Sequence, residues 1–338
     1  MATKMLVGTD VAYEIVTGGN ISGLMMRILI AYDGSSYSES ALDDLERSGL
    51  PLQGEALIIC VAEVWLPPPN SPAMPDESSE FVEGLVKKYR EKGERGIAQA
   101  ETMVNHARER VCRSLPGWDV KTKATYGSPA WEILSMADEF GSDLIFIGSH
   151  GRSALGRFVL GSISQKVLTE AFCSVRIARG RVEVDDAAAR IEIGFDGSPG
   201  SYAAVDSVAD RKWPAGSEAR IIVATDTIVP AAIGRFVQPF GDWAEDQQRS
   251  ECSWITELAE RSKKTLEHAG LNVTIQIIEG DPNKVLIREA EKWHADCIFV
   301  GANAAGGRLD RFLLGSTSAA VASRAHCSVE IVRKKRQM

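Results

Sequence analysis

The chain has 338 residues, of which 44% are hydrophobic and 25% are charged, a composition typical of a globular protein with about two domains. Its net charge of −8 argues against nucleic acid as a partner, because the average surface would repel a phosphate backbone. No uninterrupted apolar run reaches the roughly 18 to 20 residues that a membrane-spanning helix needs. We therefore expect neither nucleic acid nor a membrane as a partner.

The cysteines and the first residues indicate the compartment. Six cysteines are scattered along the chain, and no pair or Cys/His cluster has the spacing of a metal site. Residues 1–25 lack the basic start and the continuous apolar core of a signal peptide. We expect a cytoplasmic protein with reduced cysteines, no protein-bound metal centre, and a loose N-terminal extension over 1–25.

The chain contains an internal duplication. RILIAYDGS matches RIEIGFDGS, which places Asp33 over Asp196, and three further blocks follow in the same order, the last pairing GRFVLGS with DRFLLGS. A period of roughly 155 residues exceeds that of any solenoid repeat, so each copy is a whole domain. We predict domains over 26–180 and 190–334, joined by a polar, alanine-rich linker over 181–189.

Each copy alternates short apolar runs with segments of helical period. In the first copy the runs predict strands over 27–32, 56–64, 120–125, 143–147 and 175–179. Helices are predicted over 36–48, 82–114, 129–140 and 162–172, and in the second copy a long helix near 243–269. This pattern predicts an α/β fold with two doubly wound, five-stranded parallel sheets of strand order 3-2-1-4-5. The ligand crevice of such a sheet lies between strands one and four.

A glycine-rich segment, GSHGRSALGRFVLGS, directly follows the fourth predicted strand. Its glycines at 148, 151 and 161, with Ser162, form the pattern GxxGx9GS. Backbone N–H groups of such a loop and of the helix that follows can bind phosphate, although short glycine motifs also occur in ordinary tight turns. Asp33 follows the first strand, so the fold brings it to the same crevice as Gly148.

For three residues of this crevice the sequence allows two roles each. Asp33 either contacts the nucleoside end of a ligand or fixes its own Asp-Gly-Ser turn. Ser162 either contacts phosphate or caps the helix that it opens, and both roles are compatible. Val61, at the end of strand two, borders a base through its backbone or belongs to the core through its side chain.

This combination resembles the universal stress protein family in its tandem form. The resemblance rests on the opening strand with Asp-Gly-Ser, on Gly-x-Pro at 127–129 and 280–282, and on the full glycine signature. It implies the adenine nucleotide alpha hydrolase-like fold, ATP with or without Mg²⁺, and last strands that pair the two copies into an internal pseudo-dimer. It places Asp33 and the backbone of Val61 at the adenosine, and Gly148, Gly151, Gly161 and Ser162 at the ribose and phosphates.

The second copy departs from the signature. It keeps Asp196, Gly301, Gly315 and Ser316, but Ala304 replaces the second glycine and the loop is one residue longer. An alanine there costs little if its φ is negative, but its methyl group is excluded where φ is positive or where a phosphate approaches closely. Gly306 and Gly307 offer an alternative phosphate-binding loop in a shifted register. We therefore predict an intact site in the first copy and a degenerate one in the second.

The sequence contains no GxxxxGKS, no GxSxG and no Cys/His nucleophile arrangement, so any ATP hydrolysis is expected to be slow. His150, the only histidine of the loop, is predicted to stabilise a turn rather than to catalyse. The leading hypothesis is an ATP-binding, nucleotide-responsive stress-response module. The alternative is a nucleotide-independent interaction or chaperone-like scaffold, and an enzyme of the same fold ranks third. Protein partners and any homodimer are left open by the sequence.

Overall fold

The structure is a computed structural model that describes residues 25–64, 79–150, 160–179, 188–225, 255–302 and 314–334. The first half contains, in chain order, β1 (Met26–Ala31), α1 (Ser36–Asp43), β2 (Gly54–Ala62), α2 (Ser79–Ser114), β3 (Trp118–Tyr126), α3 (Pro129–Phe140), β4 (Leu144–Gly148), α4 (Ser162–Glu170) and β5 (Ser174–Ala178). The second half repeats this order with β6 (Arg190–Gly194), α5 (Pro199–Ala209), β7 (Glu218–Thr225), α6 (255–268), β8 (Asn272–Glu279), α7 (Pro282–Trp293), β9 (Cys297–Gly301), α8 (Ser316–Arg324) and β10 (Ser328–Val332).

All ten of these strands form one sheet in the order β3-β2-β1-β4-β5-β10-β9-β6-β7-β8. Pairing is parallel within each half, which confirms the predicted 3-2-1-4-5 order and the α/β fold. The two halves join through β5 and β10, which pair antiparallel with Glu330 opposite Arg176. The two last strands therefore cover each other's open edge, which would otherwise be free to pair with another chain.

The hydrophobic core has a different extent on the two faces of the sheet. Below α3, α4, α7 and α8, one buried cluster runs through both halves and includes Leu29, Ile145, Ile298 and Val329. On the other face, α1 and α2 cover a separate core in the first half, and α5 and α6 cover another in the second half. One face of the sheet is thus packed continuously across the β5–β10 junction.

Helix α1 is shorter than the 36–48 predicted. It ends at Asp43, and the chain continues through turns to Gly49, whose φ is +65°. A Cβ at Gly49 would lie 2.9 Å from the Trp213 ring of the second half, so this turn is shaped by contact between the halves. Leu45 packs in the core of the first half and Asp44 pairs with Arg176 of β5, so the burial pattern of residues 44–48 arises in turns rather than in helix.

Some predictions concern residues that the structure does not describe. The N-terminal extension lies almost entirely within 1–24, and most of the linker lies within 180–187. None of the described helices combines the length and apolar character needed to cross a bilayer. The cytoplasmic location, the domain boundaries and any homodimer stay predictions.

Candidate functional site

A pocket of about 980 Å³ lies at the carboxyl ends of β1, β2 and β4 in the first half. Its lining includes five of the six residues predicted for the first site, namely Asp33, Val61, Gly148, Gly161 and Ser162. The sixth, Gly151, lies outside the described residues. The pocket occupies the switch point at which the strand order reverses, where open α/β sheets hold their ligands.

Asp33 fixes the turn that follows β1. Its Oδ1 accepts hydrogen bonds from the backbone N of Ser35 at 3.0 Å and from Ser35 Oγ at 2.6 Å. The same Ser35 hydroxyl accepts from the N–H of Ser38 at 3.2 Å and so caps α1. The interpretation that Asp33 stabilises its own turn is therefore correct. Asp33 also lines the pocket, so this role is compatible with a contact to a ligand.

Val61 presents its backbone to the pocket. Tyr32 N donates to Ile59 O at 2.9 Å, so the peptide groups of Ile59 point toward β1. Peptide groups alternate in direction along a strand, so Val61, two residues later, directs its N–H and C=O to the same side. Strand β1 has already ended at Ala31. The N–H donor and the C=O acceptor of Val61 therefore both face the crevice.

Gly148 has a steric role that the sequence did not reveal. A Cβ at this position would lie 2.7 Å from the backbone C and O of Tyr37, in the first turn of α1. Contacts shorter than 3.0 Å with backbone cannot be relieved by moving a side chain, so glycine is required for β4 to approach α1. This glycine is explained by packing alone, whether or not phosphate binds.

The N-terminus of α4 opens into the pocket. Gly161 is the N-cap, with φ −61° and ψ 150°, and among the described residues no side chain accepts a hydrogen bond from the first turn. Ser162 is exposed and occupies the first helical position, so the prediction that it caps the helix is wrong. Uncapped N–H groups and the positive end of the helix dipole favour an anion here.

Ser164 was missed by the sequence reasoning. Its hydroxyl donates to Gly148 O at 2.7 Å and lines the pocket, tying α4 to the end of β4. The duplication carries a signal for it, because Ser318 Oγ donates to Gly301 O at 2.6 Å in the second half. This bond sets the position of the α4 N-terminus relative to the strand ends.

His150 is buried on the pocket wall, and its ring packs on Tyr37 with centroids 4.9 Å apart. Its Nδ1 lies 3.2 Å from Ser149 Oγ. Burial, and secondarily the positive charge of Arg179, lower the pKa of His150 below its usual 6.5. The imidazole is therefore neutral at physiological pH.

Helix α2 supplies one wall of the pocket, which the sequence did not predict. Lys92, Arg95 and Gln99 line it beside Gly96, where a Cβ would lie 3.3 Å from Val64. The two cations bring positive charge to the α2 wall, while the lining also carries the carboxylates of Asp33 and Glu63. The α2 wall and the N-terminus of α4 are therefore the parts of the pocket that favour a negatively charged group.

The second half repeats the framework of the site. Asp196 Oδ1 accepts from Ser198 N at 3.0 Å, and Gly315 caps α8 with the same φ of −61° as Gly161. A Cβ at Gly301 would lie 2.4 Å from the backbone of Gly200, so this glycine also serves strand-to-helix packing. Ser316 begins α8, and Ala304 lies outside the described residues.

The model of the universal stress protein family matches this chain twice, over residues 25–179 and 188–333. A universal stress protein of Mycobacterium tuberculosis is 26% identical over 317 residues, covering 91% of this chain and 97% of that protein. A crystal structure of a universal stress protein from Archaeoglobus fulgidus covers 92% of this chain and 97% of its own, with a TM-score of 0.55 and 18% identity. These matches extend over both halves.

A smaller solved structure matches one half. It is a universal stress protein family protein from Arabidopsis thaliana with AMP bound, and it covers 43% of this chain and 92% of its own. Its TM-score is 0.31 and its identity 14%.

Proposed function

Because the chain belongs to the universal stress protein family, we propose that it binds an adenine nucleotide, ATP with Mg²⁺, in the pocket of its first half. In this proposal nucleotide occupancy changes the conformation or the partner choice of a stress-response module. The observation that carries it is the convergence of Asp33, Val61 and Gly161 on one crevice at the switch point.

The donor set of the pocket fits the two ends of a nucleotide. The N–H and C=O of Val61 match the donor and acceptor edge of adenine, and the Asp33 carboxylate can accept from ribose hydroxyls. The uncapped first turn of α4 suits the phosphates. A volume of about 980 Å³ falls at the upper end of the range usual for small-molecule and cofactor sites.

Magnesium would enter with the phosphates. In the part of the chain that the structure describes, no three His, Cys, Asp or Glu side chains converge on a point that could hold a metal. The ion's ligands would then be phosphate oxygens and water, as Mg²⁺ commonly prefers. Arg95 and Lys92 on the α2 wall would add to the neutralisation of the polyphosphate.

The proposal is asymmetric between the halves. Asp196, Gly301, Gly315 and Ser316 preserve the frame of the second site, but Ala304 interrupts its glycine signature. Isothermal titration with ATP and Mg²⁺ should give one site per chain, and native mass spectrometry of protein purified without added nucleotide should find no more than one adenine nucleotide. Two equivalent sites would contradict the asymmetry, and no binding would contradict the proposal.

A matched pair of variants separates ligand contact from turn formation. Asp33→Ala and Asp196→Ala each remove an acceptor 3.0 Å from the N–H of the serine that caps the next helix. Both should lose stability, and Asp33→Ala should lose more because its Oδ1 also accepts from Ser35 Oγ at 2.6 Å. Only Asp33→Ala should also weaken ATP binding, by about 10-fold or more, because a charged hydrogen bond is lost. Gly161→Val and Gly315→Val form a second pair with the same expectation.

A scaffold function that does not use nucleotide is the second candidate. The close packing of Gly148 on Tyr37 and of Gly301 on Gly200 favours the scaffold function. This packing alone requires glycine at both positions, without any bound ligand. A scaffold predicts no retained nucleotide and equal, small effects of Asp33→Ala and Asp196→Ala on every ligand tested. The titration and the matched pair therefore distinguish the two functions.

A further inference from the structure

An arginine at the end of the last strand of the second half reaches into the first half. Arg333, directly after β10, donates from Nη2 to Leu168 O at 2.6 Å and from Nη1 to Cys173 O at 3.4 Å. Leu168 lies in the last turn of α4, and Cys173 follows that helix. The backbone N–H of Arg333 also donates to Ser174 Oγ at 3.1 Å, at the start of β5. The second half therefore holds the C-terminal end of a helix of the first half.

The same contact occurs in the opposite direction. Arg179, directly after β5, donates from Nη2 to Ala322 O at 2.5 Å and to Ser323 O at 3.2 Å, both in the last turn of α8. Arg179 and Arg333 occupy equivalent positions of the duplicated unit, and so do Ala322 and Leu168. Each half thus supplies an arginine to the C-terminal end of a helix in the other half.

Arg333 provides positive charge that α4 does not have itself. Burial lowers the pKa of Arg333 from 12.5 to about 10, so its guanidinium is still charged near neutral pH. Within the described ranges its side chain donates to carbonyl oxygens and pairs with no carboxylate. Helix α4 has no basic residue in its last turn, whereas α8 has Arg324 there. A cation at this end is favoured because the last carbonyl groups of a helix lack partners and form the negative end of its dipole.

The opposite end of α4 opens into the first pocket. The helix has only nine residues, which corresponds to a length of about 14 Å. A helix this short is marginal by itself, so loosening of its last turn also affects its first turn. An anion at the N-terminus and a cation at the C-terminus both interact favourably with the same dipole. The charge of Arg333 therefore favours an anion in the pocket without touching it.

We propose that Arg333 is a positioning residue of the nucleotide site in the first half, because it holds the C-terminal turn of α4 and so stabilises the N-terminal turn at which the phosphates bind. This inference rests on the proposed function, since it concerns the same pocket. It adds that the first half does not form the site alone, because one of its supports comes from the end of β10.

Isothermal titration of the full chain with ATP and Mg²⁺, and with adenosine, tests this role. Arg333→Met removes the charge and the donors, and it should weaken ATP binding about 5-fold. Adenosine binding should stay within about 2-fold, because adenosine has no phosphate to place at α4. Arg333→Lys keeps the charge and should recover most of the affinity for ATP. An unchanged affinity for ATP in Arg333→Met, or an equal loss for adenosine, would overturn the proposal.

A matched control is available within the second half. Arg190 donates from Nη1 to Trp293 O at 3.2 Å, at the C-terminal end of α7. Arg190→Met therefore also removes a bond from an arginine to the end of a helix, but this helix does not open into the first pocket. It should leave the affinities for ATP and adenosine within about 2-fold of wild type. A loss for ATP as large as that of Arg333→Met would contradict a specific role of Arg333.

Hydrogen exchange of the wild type keeps the proposal testable if Arg333→Met does not fold. ATP with Mg²⁺ should slow amide exchange in the last turn of α4 and at the end of β10 around Arg333, whereas adenosine should not. Mass spectrometry of peptides from these two segments measures it, and no slowing around Arg333 would overturn the proposal. If the wild type binds no nucleotide, this inference and the proposed function both fail. If the wild type binds ATP and Arg333→Met binds it equally well, only this inference fails.

Discussion

Arg176 of β5 and Glu330 of β10 face each other where the two halves of the sheet join, with Arg176 Nη1 3.4 Å from Glu330 Oε2. Both side chains are fully buried. Arg176 Nη2 also lies 3.1 Å from Asp44 Oδ1, and Arg211 pairs with the other oxygen of Glu330. Arg176 and Glu330 occupy equivalent positions of the duplicated unit. Two identical halves would place like charges together, so this junction favours unlike halves.

Removing Glu330 should destabilise the protein strongly. Glu330→Ala leaves the guanidinium groups of Arg176 and Arg211 buried without this carboxylate, and we expect a loss of about 3–5 kcal/mol in the free energy of unfolding. Urea unfolding followed by circular dichroism measures it. The control is Arg261→Ala, which breaks an exposed pair with Glu257 at 2.7 Å and should cost about 1 kcal/mol or less. Equal losses in the two variants would contradict the role of the buried junction.

Gly148→Ala and Gly301→Ala should be destabilising to a similar extent. The new Cβ atoms would lie 2.7 Å from the Tyr37 backbone and 2.4 Å from the Gly200 backbone. Overpacking of this kind costs about 1–3 kcal/mol and should lower the midpoint of thermal unfolding in both variants. If Gly148→Ala lost stability and Gly301→Ala did not, steric packing would not be the reason that both halves have glycine at this position.

The sheet and the location of the site were predictable because each depends on local pattern and on general topology. Parallel strands joined by right-handed crossovers leave few orders, and Asp33 and Gly148 follow the two strands that flank the switch point. The α2 wall was not predictable, because a long helix has several faces and only its crossing point over the sheet decides that Arg95 lines the pocket.

The role of Gly148 and the packing of His150 on Tyr37 depend on a contact between β4 and α1. The periodicity of hydrophobic residues in the sequence does not indicate this contact. A glycine kept in both copies indicates a shared steric need, as Gly148 and Gly301 show.

Native alkylation should distinguish the cysteines by burial. Cys112 is exposed on α2, whereas burial raises the pKa of the Cys297 thiol to about 12 and that of Cys173 to about 12. The thiolate is the reactive form, so iodoacetamide near neutral pH should modify Cys112 well before the other two. Peptide mass spectrometry gives the order, with urea-unfolded protein as the control in which all three react. Early labelling of Cys297 would be inconsistent with its burial on β9.

The second half carries a buried carboxyl group where the first carries leucine. Glu192 of β6 is fully buried beside Arg220 of β7, and their equivalents, Leu29 and Leu57, are partners on β1 and β2. Among the described residues neither oxygen of Glu192 has a hydrogen-bond partner. Burial raises the pKa of Glu192 well above 4.5, although the charge of Arg220 acts in the opposite direction. The carboxyl group is therefore protonated in the folded protein at mildly acidic pH.

Glu192→Gln should flatten the dependence of stability on pH. Unfolded Glu192 ionises above about pH 4.5 while the folded group stays protonated, so folding takes up a proton and stability falls as pH rises toward the folded pKa. The slope is at most about 1.4 kcal/mol per pH unit for one proton. Because glutamine cannot ionise, the variant should gain stability relative to wild type as pH is raised from about 5 to about 8.

Urea unfolding at several pH values measures this, with Glu218→Gln, exposed at the start of β7, as the control for removing one carboxylate. A constant difference between Glu192→Gln and wild type at every pH would mean that Glu192 is ionised in the fold, held there by Arg220.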